Sequence, residues 1–137
     1  MFTADVRFPV WTGSVLTHVR SRRSGVVVQR KRPDTMPAKL VTIRSDGGSA
    51  GQTLATVQGG VNVWAAASGS QAAATVAENL AADVANDIRS LPGVGVLKSV
   101  TVSLPFEVED DPAFTYSGGE LAHFYFAFTG VLKGDPA

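Results

Sequence analysis

The chain has 137 residues, with twelve basic and twelve acidic side chains and no cysteine. That length suits one domain able to bury a core without staples, and the lack of cysteine excludes a disulfide framework, a thiolate metal site and a Cys nucleophile. No basic region followed by an apolar run opens the sequence, and no stretch approaches the roughly 20 apolar residues that span a bilayer, so a soluble protein made in the cytoplasm is expected, without a membrane.

In chain order, Val15, Leu16 and Val19 at helical spacing predict a short helix near Thr12 to Arg22, and Val26, Val27 and Val28 a short strand between Gly25 and Arg30. The stretch from Lys31 to Pro37 reads as a linker, because Pro33 and Pro37 deny both helix and sheet. Lys39 to Ser45 alternates, with Val41 and Ile43 on one face and Thr42 and Arg44 on the other. Asp46 to Gln52 has the composition of a flexible hairpin loop. A second strand from Thr53 to Ala65 places Val57, Val61 and Val63 on one face and Gln58, Asn62 and Trp64 on the other, and Gly59-Gly60 within it suggests a bulge or a close backbone approach.

The clearest element follows. Ala73, Ala77, Leu80, Val84, Ile88 and Leu91 recur at helical spacing, which predicts a helix over about 69–91, with Glu78, Asn79, Asp83, Asn86 and Arg89 opposite. At the usual rise it is about 30 Å long. Ser68 and Gln71 read as a capping box, and Pro92-Gly93 ends the pattern. A strand from Val96 to Leu104 aligns Val96, Val100, Val102 and Leu104 before Pro105, a long acidic loop runs from Glu107 to Glu120, and a closing strand from Leu121 to Leu132 sets Phe124, Phe126, Phe128 and Leu132 against His123, Tyr125 and Thr129. The expected fold is a single α+β domain over residues 1–137: a mainly antiparallel sheet of four to five strands, packed by one long helix and a shorter N-terminal one.

Catalytic constellations are hard to find. No Gly-x-Ser-x-Gly elbow occurs, and His123 sits mid-strand beside Phe124, which favours a structural histidine. Asp46-Gly47-Gly48 lacks the Gly-Lys-Ser/Thr ending of a phosphate loop, and Glu109, Asp110 and Asp111 lack EF-hand spacing. No catalytic residue, cofactor or metal is expected.

The charge pattern is more informative. Residues 1–44 hold nine of the twelve Lys and Arg against Asp5 and Asp34, whereas residues 78–137 hold nine carboxylates against Arg89, Lys98 and Lys133. Either one subunit's basic surface meets the next subunit's acidic one, or the two parts neutralise each other within one fold. Arg20, Arg22, Arg23, Arg30, Lys31 and Arg32 form the one patch that could meet phosphates, though without the interleaved aromatics that base stacking needs. Trp64 is either packed under a neighbouring segment or is an interface anchor.

The run Val-Thr-Ile-Arg-Ser-Asp-Gly-Gly from Val41, a short Gly-rich loop, Gly-Val-Asn-Val-Trp-Ala ending at Ala65, an Ala-rich helix and the closing Phe-Tyr-Phe-Ala-Phe-Thr-Gly-Val-Leu-Lys-Gly from Phe124 together resemble the tail terminator proteins of long-tailed, siphovirus-type phages infecting actinobacteria. The likeness spans residues 39–134; the basic segment 1–38 lies outside it. It implies a ring of six subunits in the virion that caps the head-proximal end of the tail tube, with the tail tube protein and a head-to-tail connector or stopper as partners. DNA would pass through the lumen without sequence-specific binding. Arg44, Asp46, Gly47 and Gly48 would then reach a neighbour or the tube, with Trp64 nearby, and Arg22, Arg23, Arg30, Glu109 and Asp110 are further candidate contact residues. Another neck or head-closure ring is the neighbouring alternative, and a nucleic-acid-binding module using Arg20 to Arg32 a third.

Overall fold

The computed structural model describes residues 6–92, 96–109 and 120–136. Within them the chain runs β1 (Val6–Arg7), α1 (Thr12–Arg22), β2 (Val27–Gln29), β3 (Lys39–Ala50), β4 (Leu54–Ala66), α2 (Ala73–Arg89), β5 (Leu97–Val102), β6 (Phe106–Val108), β7 (Leu121–Lys133) and β8 (Asp135–Pro136). Strands β2 to β7 build one six-stranded sheet in the order β2-β3-β4-β7-β5, with β6 beside β5 on the same edge of β7. Every pairing is antiparallel except β2 with β3, and β1 and β8 form a separate two-stranded ribbon. This is an α+β fold whose sheet packs against two helices, one longer than the other.

Period-two alternation decides which face the helices cover. Val41, Ile43, Val61, Val63, Phe124, Phe126 and Phe128 point one way and meet Val15, Leu16 and Val19 of α1 and Val76, Leu80, Val84 and Ile88 of α2 in one apolar core. The edge of the Phe128 ring meets Trp11 at 5.5 Å and 88°, a favoured aromatic geometry. Gly59 is the reason that ring fits, since a Cβ there would stand 2.2 Å from it. The expected close approach at Gly59 is thus a side chain against backbone.

The opposite face is only partly covered. Leu40, Trp64, Ala66 and Leu121 gather with Met36, which the proline-containing linker lays across them.

Four sequence expectations need correction. Residues 46–50 are not a loop: β3 and β4 pair as far as Ala50 with Ala55, and the Gly-rich composition is accommodated by a bulge at Asp46, between the Ser45 and Gly47 pairings, and by positive φ at Gly47 (94°) and Gly48 (144°). Ser68 and Gln71 do not cap α2 but close a tight turn on each other, Ser68 N to Gln71 O at 3.1 Å and Gln71 N to Ser68 O at 3.0 Å. Ala72 is the N-cap, without a side-chain bond, and α2 is correspondingly shorter than expected. In β5 a bulge between Leu97 and Ser99 turns Leu97 into the core, and Leu104 is left exposed. Glu107 and Val108, read as loop, form β6 with Phe106 on β7. Most of the acidic segment, Asp110 included, lies outside the described residues. Among them, no helix is long and apolar enough to cross a membrane.

Candidate interaction surface

β3 is flanked by β2 only over Leu40 to Thr42. Beyond that point, from Arg44 to Ala50, it pairs with β4 on one side, and among the described residues no strand lies on the other. Its side chains there are all exposed. The bulge brings Arg44 and Asp46 together, Arg44 Nε donating to Asp46 Oδ1 at 2.7 Å, with the Arg44 guanidinium carbon 5.6 Å from the Tyr125 ring centre. The Asp46 hydrogen bond holds the Arg44 guanidinium above its ordinary range against a smaller effect of desolvation. Gly60 leaves room for the cluster, as a Cβ there would lie 2.8 Å from Asp46 Oδ2, 3.0 Å from the Tyr125 hydroxyl and 3.1 Å from Arg44 Nε. Gly47 and Gly48 line a shallow groove of about 290 Å³ with Phe8, Trp11, Ala55 and Val57.

Of the two alternatives for Trp64, the packed one holds. Its indole is 4% exposed and stacks on the His123 ring, centres 4.4 Å apart and planes at 18°. Cross-strand pairing of Trp64 with His123 dictates this contact. His123 Nε2 lies 2.7 Å from Asn62 Oδ1, an amide oxygen that accepts from a protonated Nε2. Burial pushes the imidazole down to about 4, and Arg32 acts in the same direction. His123 is a packed strand residue whose ring stays neutral at neutral pH.

The basic run is divided. Arg22 Nε and Arg23 Nε each donate to a carboxylate oxygen of Asp87 at 2.8 Å, and Arg23 also lies 3.4 Å from Asp83. The hydrogen bond to Asp87 raises the Arg23 pKa above its ordinary value, opposed by desolvation. Arg20 Nε donates to Val28 O at 2.7 Å and fastens α1 to β2. His18 Nε2 contacts the Asp87 carbonyl at 3.0 Å and Ser90 Oγ at 3.1 Å. This cluster joins the last turns of α1 and α2, where cations suit the partial negative charge of the carbonyl end. Sequence reasoning missed Asp87, which lies on the apolar side of α2 in a carboxylate-rich helix. The local signal was a charged residue breaking the buried stripe beside Ile88.

The internal-neutralisation reading therefore holds for Arg22 and Arg23. Arg30 and Lys31 are exposed at the end of β2, and no ion pair engages them among the described residues. Glu109 is exposed on the far edge of the sheet, beside a cleft of about 560 Å³ lined by Ala72 to Ala74, Glu107, Val108, Glu120 and His123. Among the described residues no group of three or more His, Asp or Glu side chains is placed to hold a metal ion. Compared with known protein families and with curated proteins, the chain finds no match.

Proposed function

We propose that the chain is a structural subunit of a phage virion, a tail terminator that assembles into a six-membered ring, caps the head-proximal end of the tail tube and joins it to the neck connector. The reading rests on the distal half of β3. The segment that carries the resemblance, Arg44 to Gly48, lies on an exposed sheet edge with its polar and glycine residues presented outward, as a contact surface for a neighbour or tube requires. Of the other resembling pieces, the strand ending at Trp64 pairs with β3 along its length, and the closing strand and the Ala-rich helix pack on that strand in turn. In this reading the chain is made in the host cytoplasm, performs no catalysis, uses no cofactor and lets DNA through its lumen without reading sequence. The nucleic-acid alternative is weakened by Arg22 and Arg23 being paired with Asp87 and Arg20 being bonded to the Val28 carbonyl.

The test is electron microscopy of the purified chain with tubes assembled from the tail tube protein of the same genome. Rings at tube ends and an arrest of tube elongation are expected. Free tube ends at saturating subunit would sink the proposal.

A further inference from the structure

The ring reading requires two different surfaces on one chain that fit each other, since a closed ring of head-to-tail contacts uses a heterologous interface. Resting on that reading, we propose that the cleft bordered by Glu107, Glu109 and Glu120 receives Arg30 and Lys31 of a second copy of this chain.

These two groups stand at opposite edges of the sheet. Arg30 and Lys31 leave β2 at one edge, while Glu107 belongs to β6 and Glu109 follows it at the other. Four strand spacings separate β2 from β6, about 19 Å at the usual distance between strands. Arg30 and Lys31 are thus set apart from Glu107 and Glu109 across the sheet, whereas Arg32, next in the chain, lies near enough to His123 in the cleft wall to act on it. All five side chains are exposed, and among the described residues none is in an ion pair.

The cleft fits basic side chains for two reasons. Its floor is Ala72, Ala73 and Ala74, so the slim start of α2 leaves a volume of about 560 Å³ open beside the carboxylates. Its charge is negative, because three carboxylates outweigh Arg32, which acts on His123 in the wall, together with the roughly half unit of positive charge at the start of a helix. The matching groups belong to different edges of the same molecule, so an edge-to-edge contact between them joins copies head to tail. Backbone pairing between edges is not what joins them: the Val28 carbonyl at the β2 edge already accepts from Arg20, and Pro105 interrupts the opposite edge.

The experiment compares Arg30→Glu/Lys31→Glu, Glu107→Lys/Glu109→Lys and a chain carrying all four changes, by sedimentation and native mass spectrometry, with thermal melting as a check on folding. Either two-residue variant should be monomeric where the unaltered chain forms rings, and raising salt from about 50 to 300 mM should shift the unaltered chain's assembly midpoint at least tenfold in concentration. Mixed together, the two variants should form rings of alternating subunits, because the native edge of one fits the native cleft of the other and the two reversed surfaces fit each other in turn. The four-residue swap should restore rings. Rings that persist in both two-residue variants would overturn this contact and leave the ring reading standing. An unaltered chain that neither self-associates nor caps tubes, with no co-assembly in the mixture, would remove both. A mixture without co-assembly in which Arg30→Glu/Lys31→Glu alone abolishes binding to duplex DNA would overturn the contact by assigning the basic edge to nucleic acid.

Discussion

Asp87 and Asp46 hold arginine at nearly the same distance, 2.8 and 2.7 Å, but the Asp87 side chain is 1% exposed and Asp46 32%. Asp87 lies between two helices on the covered side of the sheet, with Arg22, Arg23 and His18 around it. Asp46 lies in a bulge on the open face, facing an arginine two residues away. Geometry alone would rank the two alike. Burial separates them, because a charge out of water depends on its partners and a charge in water does not.

The largest effect expected is therefore at Asp87. Asp87→Ala removes the carboxylate that Arg22 and Arg23 share at the helix joint and should cost about 2 to 3 kcal/mol in urea unfolding, the arginines left behind being partly hydrated. Arg22→Ala should cost much less, since Arg22 is half exposed and Arg23 still neutralises the carboxylate. If the two losses are equal, Asp87 is not the buried centre of the joint.

Two adjacent glycines sharpen the same contrast. A methyl group at Gly59 meets the Phe128 ring inside the helix-covered core, where overpacking costs about 1 to 3 kcal/mol. At Gly60 the nearest atoms are the ends of Arg44, Asp46 and Tyr125, which can swing away. Stiffening the unfolded chain returns about 0.4 to 1 kcal/mol in either case, so Gly60→Ala should be near neutral and Gly59→Ala clearly destabilising. Similar melting temperatures for the two variants would mean the open face is packed as tightly as the covered one.

How much of this was readable beforehand depended on distance along the chain. The phase of β7 was legible because Phe124, Phe126 and Phe128 must share a buried face, and α1 because Val15, Leu16 and Val19 fall on one stripe. The hairpin's length was not, since Gly47 and Gly48 look alike whether they form a loop or a bulged strand. Ser68 and Gln71 satisfied a capping pattern that the backbone instead closed within its own turn. The Asp87 cluster joins residues more than sixty positions apart, and nothing local distinguishes its arginines from Arg30. At the candidate surface, the exposed Arg44 to Gly48 edge could be named from sequence, but the burial of Trp64 follows from a linker laid over it.

His123 tests the boundary between the two faces, because it belongs to the open one yet is covered. Its folded pKa of about 4 lies below the ordinary 6.5, so the unfolded chain takes up the proton first. Stability from this group is complete above pH 6.5 and is lost as pH falls from there towards 4. Allowing for partial solvent access, the loss should be about 1 to 2 kcal/mol. His123→Gln should flatten that part of the stability profile relative to the unaltered chain, and identical profiles would show that the ring is hydrated in the folded state.

The smallest effect belongs to the pair that the proposed function values most. A double-mutant cycle on Arg44→Ala and Asp46→Ala should give a coupling below about 1 kcal/mol, since exposed pairs gain little over hydration, and added salt should reduce it further. Stability is then nearly unchanged while the charge pattern of the exposed edge is altered. Under the tail-terminator reading, the same variants should lose capping of tube ends despite folding normally. Normal capping by a folded Arg44→Ala/Asp46→Ala chain would leave this edge without a role in the contact, whatever the pair contributes to the hairpin.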